Sequence, residues 1–158
     1  MADDAISGKA HMAEPGAEEQ VPDPAEVVRR VVACFNVGEF DPSLFAADVV
    51  DHVAPPGTPP GPAGWRHKWE SMRAAFSDLR STIEETVVSG DLVCNRHTVR
   101  GTHTGDFMGV PGTGRTFEVL ALDMLRVRDG QIVEHWAVND VLSLAAQLGL
   151  DLLGPGSD

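Results

Sequence analysis

Residues 115–150 read RTFEVLALDMLRVRDGQIVEHWAVNDVLSLAAQLGL, and this stretch decides the fold of the 158-residue chain. Two runs rich in β-forming residues flank Asp129-Gly130, and Asp-Gly between such runs is the strongest local signal for a β-hairpin. A short helix pattern follows, which Asn139 or Asp140 can cap and Gly149 can end. The stretch therefore predicts two long antiparallel strands and a terminal helix.

The register of this hairpin decides where Asp123 and His135 point. A two-residue turn at Asp129-Gly130 pairs Asp123 with Trp136, whereas a three-residue loop with Gly130 in a bulge pairs Asp123 with His135. Because side chains alternate between the faces of a strand, the two registers place His135 on opposite faces. We expect the three-residue loop, with Asp123 directly opposite His135 and Trp136 on the other face.

Composition limits the classes of protein to consider. The length suits one domain, and 42% hydrophobic residues is ordinary for a globular core. A net charge of −12 argues against binding to nucleic acid or to an anionic membrane, since both need basic patches. No apolar run approaches the roughly 18 residues of a membrane span, and the start of the chain lacks a secretory pattern. We therefore expect a cytoplasmic protein with two reduced, buried cysteines, Cys34 and Cys94.

Turn and cap signals divide the rest of the chain. Residues 1–22 lack periodicity and predict a disordered N-terminal segment, residues 23–150 predict one domain, and residues 151–158 predict a loose tail. Helix signals cover 24–37, 42–46 and 62–76, and a proline-rich loop over 54–64 precedes the last of these. Strand signals cover 49–53, 80–88 and 92–104, ahead of the hairpin.

This order of elements predicts an α+β fold, in which helices cover the apolar face of an antiparallel sheet. The strand over 117–127 is apolar on both faces. We therefore expect its outer face to meet a second subunit, in a homodimer or homotetramer.

Asp123 and His135 are the candidate catalytic residues. A carboxylate between Leu122 and Met124 has its charged form disfavoured by desolvation, which suits a general acid or base in an apolar pocket. His135 could orient Asp123 or carry a proton near neutral pH. The structural alternatives stay open: Asp123 bonded to backbone or to an arginine, and His135 as a satisfied, half-buried residue of the sheet.

Further side chains could line a pocket for a hydrophobic substrate. Trp65, Trp69 and Met72 form a stripe at helical spacing, which is typical of core packing and would also form a cavity wall in a pocketed fold. The other candidates are two histidines near strand ends and two apolar residues in the glycine-flanked loop over 105–114, namely His52, His103, Phe107 and Met108. The second histidine could instead fix the loop that follows it, and the two apolar residues could simply anchor that loop.

We expect no metal site, no phosphate-binding loop and no nucleophilic serine elbow. His97 and His103 share a strand face but lie about 20 Å apart in a regular strand, which is too far for shared ligation. The segment GVPGTG lacks the lysine and the strand-turn-helix context of a phosphate-binding loop. The sequence also contains no Gly-x-Ser-x-Gly, the motif of a nucleophilic serine elbow.

The motifs THTGDFMGVPGTGR, LRVRDGQIVEHW and AAQLGL, set in this order of elements, resemble the SnoaL-like polyketide cyclases and ester cyclases. These belong to the larger nuclear-transport-factor-2-like fold, and the resemblance covers about residues 24–150. It implies a cone-shaped α+β barrel, with a curved antiparallel sheet wrapped around N-terminal helices and a deep apolar pocket. It also implies cofactor-free chemistry, classically an intramolecular aldol ring closure.

The chain departs from the classical cyclases at the position that carries their chemistry. Their acid/base aspartate lies two residues after the histidine that matches His135, and here that position is Ala137, which is expected to line the pocket. One of their pocket histidines falls where this chain has Asp123, so Asp123 could be a relocated carboxylate. The resemblance favours a cofactor-independent cyclase of secondary metabolism acting on a hydrophobic polyketide-like substrate. The alternatives are an epoxide-opening cyclase or hydrolase and a non-catalytic binder of apolar small molecules.

Overall fold

The computed structural model describes residues 22–150, so the predicted N-terminal segment and tail lie outside the described residues. Three helices and five strands follow the order expected from the sequence. They are α1 (Pro24–Val37), β1 (Phe45–Asp51), α2 (Pro62–Ala75), β2 (Arg80–Ser89), β3 (Leu92–Thr102), β4 (Thr116–Arg128), β5 (Gln131–Asn139) and α3 (Val141–Leu148). A single 3₁₀ turn, Pro42–Leu44, precedes β1.

The ends of α1 and α3 follow the local cap signals. Asp23 and Asp140 each accept a hydrogen bond from a backbone N–H of the first turn, which satisfies a donor that the helix leaves free. Gly38 and Gly149 close the two helices with φ of 81° and 71°, a left-handed conformation that glycine adopts without strain. Both helix boundaries predicted from these residues are confirmed.

The five strands form one curved, open sheet in the order β1-β5-β4-β3-β2. The α+β class is confirmed, but the sheet is mixed rather than wholly antiparallel, because β1 pairs parallel with β5. The remaining neighbours pair antiparallel. Parallel pairing joins segments that are distant in the chain, so no turn residue between them predicts it. Local sequence patterns therefore predict a strand near β1 but not its pairing with β5.

The β4–β5 turn is a two-residue turn, so the expected three-residue loop is wrong. Asp129 and Gly130 have φ of 49° and 74°, and Arg128 pairs with Gln131 across the turn. Positive φ at both central residues matches the twist of a hairpin, and aspartate tolerates this conformation better than most residues.

A bulge at Val133 then shifts the register of β5 by one residue. Leu125 pairs with His135, and Asp123 pairs with Ala137 instead of His135. The predicted direct opposition of Asp123 and His135 is therefore wrong. Because the bulge offsets the shorter turn, the two side chains still share one face of the sheet, on diagonal positions. Trp136 lies on the opposite face, as expected.

The inner face of the sheet carries two apolar clusters. In the first cluster, near the hairpin turn, Val93, Leu125 and Ile132 pack with residues of α1 and α2. In the second cluster, at the other end of the sheet, Phe117 and Val119 pack with residues of α3 and the end of α2. The rows between the clusters hold Asn95, His97 and Asp123, and His135 lies one row nearer the turn, opposite Leu125. We call these four residues the polar band: Asn95, His97, Asp123 and His135.

The outer face of the sheet is also partly apolar. Leu120, Leu122 and Val138 are 46%, 45% and 73% exposed on it. Cys94 is exposed on the same face and Cys34 is half-buried, so the expectation that both thiols are buried is wrong for Cys94. Strand alternation explains this, since the neighbours of Cys94 on β3 point inward. Of the helices between residues 22 and 150, none is long and apolar enough to cross a membrane.

Candidate functional site

Asp123 is bonded to His97 in the polar band. Its Oδ1 lies 2.9 Å from His97 Nε2, and His97 Nδ1 lies 2.9 Å from the Ser81 hydroxyl. The His97 side chain is 4% exposed, whereas that of Asp123 is 22% exposed. Within the described part of the chain, Asp123 Oδ2 has no hydrogen-bond partner. One carboxylate oxygen is thus held by the imidazole, and the other is free to meet a ligand.

The Ser81 end of this chain of hydrogen bonds is fixed by α1. The Asn36 amide donates to the Ser81 carbonyl and accepts from the Ser81 backbone N–H, both at 2.8 Å. These contacts hold Ser81, and through it the His97 ring, against the inner face. The sequence suggests His97 only as a possible metal ligand, and its contact with Asp123 is not predictable from the strand pattern.

His135 is bonded to Asp51, not to Asp123 as expected. His135 Nδ1 lies 2.8 Å from Asp51 Oδ1, and the two side chains are 7% and 10% exposed. Parallel pairing of β1 with β5 sets the two residues side by side. The second Asp51 oxygen accepts a hydrogen bond from Lys68 Nζ at 2.5 Å. The Lys68 ammonium also lies 4.0 Å from the centre of the Trp65 ring, which itself packs against His135.

The charge on Asp51 is stabilised by these partners. Burial by itself would raise the pKa of Asp51, but the hydrogen bond from His135 and the charge of Lys68 outweigh it and hold that pKa well below its usual value. A carboxylate beside Nδ1 keeps the proton of a neutral imidazole on Nδ1, which leaves Nε2 to take up or release a proton. The described residues provide no hydrogen-bond partner for His135 Nε2.

The sequence offered one weak signal for Lys68 and none for Asp51. Lys68 lies three residues after Trp65, within the stripe that continues to Trp69 and Met72. A cation inside an otherwise apolar stripe indicates a buried acidic partner. The partner lies on β1, and its identity depends on a parallel pairing that only the structure reveals.

Three buried polar atoms lack a partner among residues 22–150: Trp65 Nε1, Asn95 Nδ2 and His103 Nε2. Buried polar groups are nearly always paired in folded proteins, and an exception calls for an explanation such as a ligand. The Asn95 amide belongs to the polar band, and Trp65 contacts His135.

His52 does not face the inner side of the sheet, which corrects its prediction as a pocket residue. Its ring stacks on Trp136 at 4.7 Å, and Nε2 lies 3.4 Å from the Glu134 carboxylate. Asp51, the last residue of β1, points inward, whereas His52 follows it in a turn and lies beside Trp136 on the outer side.

His103 and the loop after it lie in the second apolar cluster rather than in the polar band. His103 is 0% exposed, and its Nδ1 lies 3.1 Å from the Thr113 hydroxyl. These contacts fix the loop, as the structural alternative predicted, and His103 lines neither of the two recesses described below. Phe107 packs on Phe76, whereas Met108 is 65% exposed.

Of the remaining predicted pocket residues, two pack in the apolar clusters and two lie beside residues of the polar band. Trp69 is 7% exposed and packs in the first cluster, and Met72 packs on the second cluster. Trp65 contacts His135, and Ala137 lies opposite Asp123. In the described region, no group of three His, Cys, Asp or Glu side chains is placed to hold a metal ion.

Two surface recesses lie away from Asp123. One of about 380 Å³, between β1 and the proline-rich loop, is lined in part by Asp51 and Trp65. The other, of about 420 Å³, lies at the far end of the sheet near Arg80 and Gln147 and touches neither pair. The first recess therefore borders the Asp51 end of the His135–Asp51 pair, whereas Asp123 lines neither recess and has a side chain that is 22% exposed.

Comparison with known proteins identifies the family. The SnoaL-like polyketide cyclase family matches residues 25–148. Aklanonic acid methyl ester cyclase DnrD of Streptomyces peucetius is 29% identical over 129 residues, which cover 78% of this chain and 89% of that protein. The cyclase AcmA of Streptomyces galilaeus, with the same named activity, is 30% identical over 133 residues, 77% of this chain and 88% of that protein.

A solved structure agrees with these matches. IdmH of Streptomyces antibioticus, described as a candidate polyketide cyclase, superposes with a TM-score of 0.70 at 41% identity. The match covers 82% of this chain and 100% of the IdmH chain. The family match spans nearly all the described residues, and the fold and the relatives agree with it. The chain therefore belongs to the SnoaL-like polyketide cyclase family.

Proposed function

We propose that this protein is a cofactor-independent cyclase that closes a ring in a hydrophobic, polyketide-like substrate by acid/base catalysis. One observation supports this proposal above the others. Two carboxylate–imidazole pairs, Asp123–His97 and Asp51–His135, lie on the same inner face and are bordered by apolar clusters. The relatives DnrD and AcmA are named for cyclising aklanonic acid methyl ester, and we take that compound as the first substrate to test.

An aldol-type closure needs a base and an acid at different points on one molecule. A proton leaves the carbon beside one carbonyl, and the electron pair of that C–H bond then forms the new carbon–carbon bond to a second carbonyl. The second carbonyl oxygen becomes an alkoxide and takes a proton. Diagonal residues on adjacent strands lie about 7–8 Å apart, a separation that allows Asp123 and His135 to serve the two points.

The partners of each residue favour a division of roles. Asp123 offers a free carboxylate oxygen, while His97 holds the other, so Asp123 is the candidate base. His135 is the candidate acid, because the carboxylate of Asp51 holds Nδ1 and orients the ring, which leaves Nε2 for the substrate. Net proton transfer from substrate carbon to substrate oxygen leaves the product isomeric with the substrate. Asp123 then releases its proton to solvent, and His135 takes one up.

Small side chains lie beside Asp123 on the inner face, which favours a ligand site at this place. Ala137 lies directly opposite Asp123, and Ala121 is the next inward residue along β4. Larger residues fill the equivalent rows of both clusters, among them Leu125 and Phe117. At the position of Ala137, where the classical cyclases have their aspartate, this chain thus has only a methyl group beside Asp123.

Replacing His135 with glutamine tests this assignment. We expect ring closure of aklanonic acid methyl ester to slow about 100-fold or more, because glutamine cannot donate a proton to the alkoxide. Turnover is followed by chromatography of the isomeric product, in a chelating buffer without added cofactor. His52→Gln is the matched control, since His52 lies on the outer side of the sheet. Wild-type turnover by the His135 variant, or loss of turnover in chelator alone, would contradict the proposal.

We also propose that the outer face of the sheet meets a second copy of this chain. A two-fold axis brings the same patch of both copies together, and uncharged side chains such as Leu120, Leu122 and Val138 can meet their own equivalents without repulsion. The chain carries a net charge of −12, so an interface between copies favours a patch without carboxylates.

Leu122→Glu is expected to convert the oligomer into a monomer, because it sets two like charges against each other at the interface. Light scattering after size-exclusion chromatography gives the mass. Leu142→Glu is the matched control, since Leu142 is 71% exposed on α3 rather than on the sheet. The proposal fails if wild type is already monomeric or if both variants keep the wild-type mass.

A further inference from the structure

Asn95 holds a buried donor that the fold does not use. It lies on β3, is 1% exposed, and its Cα pairs with Thr86 on one side and Asp123 on the other. The Asn95 carbonyl Oδ1 accepts a hydrogen bond from the Thr86 hydroxyl at 2.7 Å. The Nδ2 group has no partner among the described residues. A buried donor in this state destabilises the unliganded protein and becomes satisfied when an acceptor arrives.

The two neighbours of Asn95 fix which way its amide points. The Thr86 hydroxyl could bond either amide atom, because a hydroxyl both donates and accepts. Asp123 decides the orientation, since a reversed amide would set Oδ1 beside a carboxylate, and two acceptors repel each other. With Oδ1 bonded to Thr86 on β2, Nδ2 is the amide atom left for the side of β4, the strand on which Asp123 pairs with Asn95.

We infer that the Asn95 amide donates a hydrogen bond to a carbonyl oxygen of the substrate. This carbonyl is the one next to the carbon that Asp123 deprotonates. This inference rests on the proposed function. When the C–H bond breaks, its electron pair forms the C=C bond of an enolate, and the carbonyl π pair moves onto the oxygen. A preorganised N–H donor at that oxygen stabilises the charge as it develops. The ligand class is therefore an aromatic or polyketide ketone, held with its carbonyl at Asn95 and its adjacent carbon at Asp123.

Two naphthalenes of similar shape test the inference without turnover. Acetonaphthone carries a ketone but lacks the second carbonyl needed to close a ring, and ethylnaphthalene lacks the ketone. Wild type is expected to bind acetonaphthone about tenfold more tightly, the contribution of one hydrogen bond. Asn95→Leu, which is close in volume, is expected to lose this preference while keeping its thermal stability, because it removes an unpaired donor. The carbonyl stretch of bound acetonaphthone should lie at lower frequency in wild type than in the variant.

A measurement on the wild type guards against a variant that fails to fold. The side-chain amide NMR signal of Asn95 is expected to shift on adding acetonaphthone and to stay in place with ethylnaphthalene. Equal affinity for the two compounds, no binding of the ketone, or the same carbonyl stretch in both proteins would overturn the inference. These outcomes leave the proposed function standing, whereas full activity of a protein lacking the Asp123 carboxylate would remove the proposed function without changing the ketone preference.

Discussion

Replacing Asp123 with asparagine is expected to slow ring closure by about 100- to 10,000-fold, the usual contribution of a positioned general base. The amide cannot accept the substrate proton. Its oxygen can still accept the hydrogen bond from His97, so folding and substrate binding should change little. Steady-state kinetics would show the loss in kcat with KM nearly unchanged, and thermal unfolding would show a similar Tm.

Asp129→Asn is the matched control for that loss. Asp129 is an exposed carboxylate in the β4–β5 turn, outside the polar band, and its substitution removes the same charge at a positive φ that asparagine also tolerates. The control is expected to keep wild-type kcat. If Asp123→Asn turned over as fast as the control, Asp123 would be a structural carboxylate paired with His97 and nothing more.

Replacing Asp51 with asparagine should produce the largest change in stability. The carboxylate accepts hydrogen bonds from Lys68 and from His135, and its side chain is only 10% exposed. A hydrogen bond to a charged group contributes about 1.5–3 kcal/mol, and we expect the unfolding free energy at neutral pH to fall by about that amount. Ring closure should slow as well, because the His135 ring loses the partner that orients it.

The pH dependence of stability separates this loss from a simple packing defect. The pKa of Asp51 in the folded state lies below its unfolded value, so the carboxylate stabilises the fold above the unfolded pKa of about 4. This stabilisation is lost as the pH falls through the lower, folded pKa. Urea unfolding of wild type should therefore show declining stability below about pH 4, and Asp51→Asn should show a flatter decline. Parallel curves for the two proteins would mean that Asp51 carries no special stabilisation.

Local chemistry allowed much of the fold to be predicted. Caps such as Asp23 and Gly149 act within one helical turn, so their neighbours in the sequence are enough to place a helix end. The Asp129-Gly130 turn was located correctly for the same reason. The shared face of Asp123 and His135 was also anticipated, although the loop predicted to produce it does not occur.

The partners of the site residues could not be predicted, because they depend on pairings between distant strands. Asp51 contacts His135 only because β1 pairs in parallel with β5. The two residues are separated in the sequence by more than half the length of the chain. The bulge at Val133 moves the partner of Asp123 by one residue, and no glycine marks it. The same one-residue sensitivity placed His52 on the wrong face, since it is adjacent to Asp51.

Exchange of the substrate proton with solvent tests the central claim most directly. In deuterated buffer, wild type should place deuterium on the carbon beside the substrate carbonyl, as seen by NMR or mass spectrometry. His135→Gln should retain this exchange while failing to close the ring, because the base is intact and the acid is missing. Asp123→Asn should lose both. Deuterium incorporation by Asp123→Asn at the wild-type rate would contradict the account, because the proton would then leave by another route.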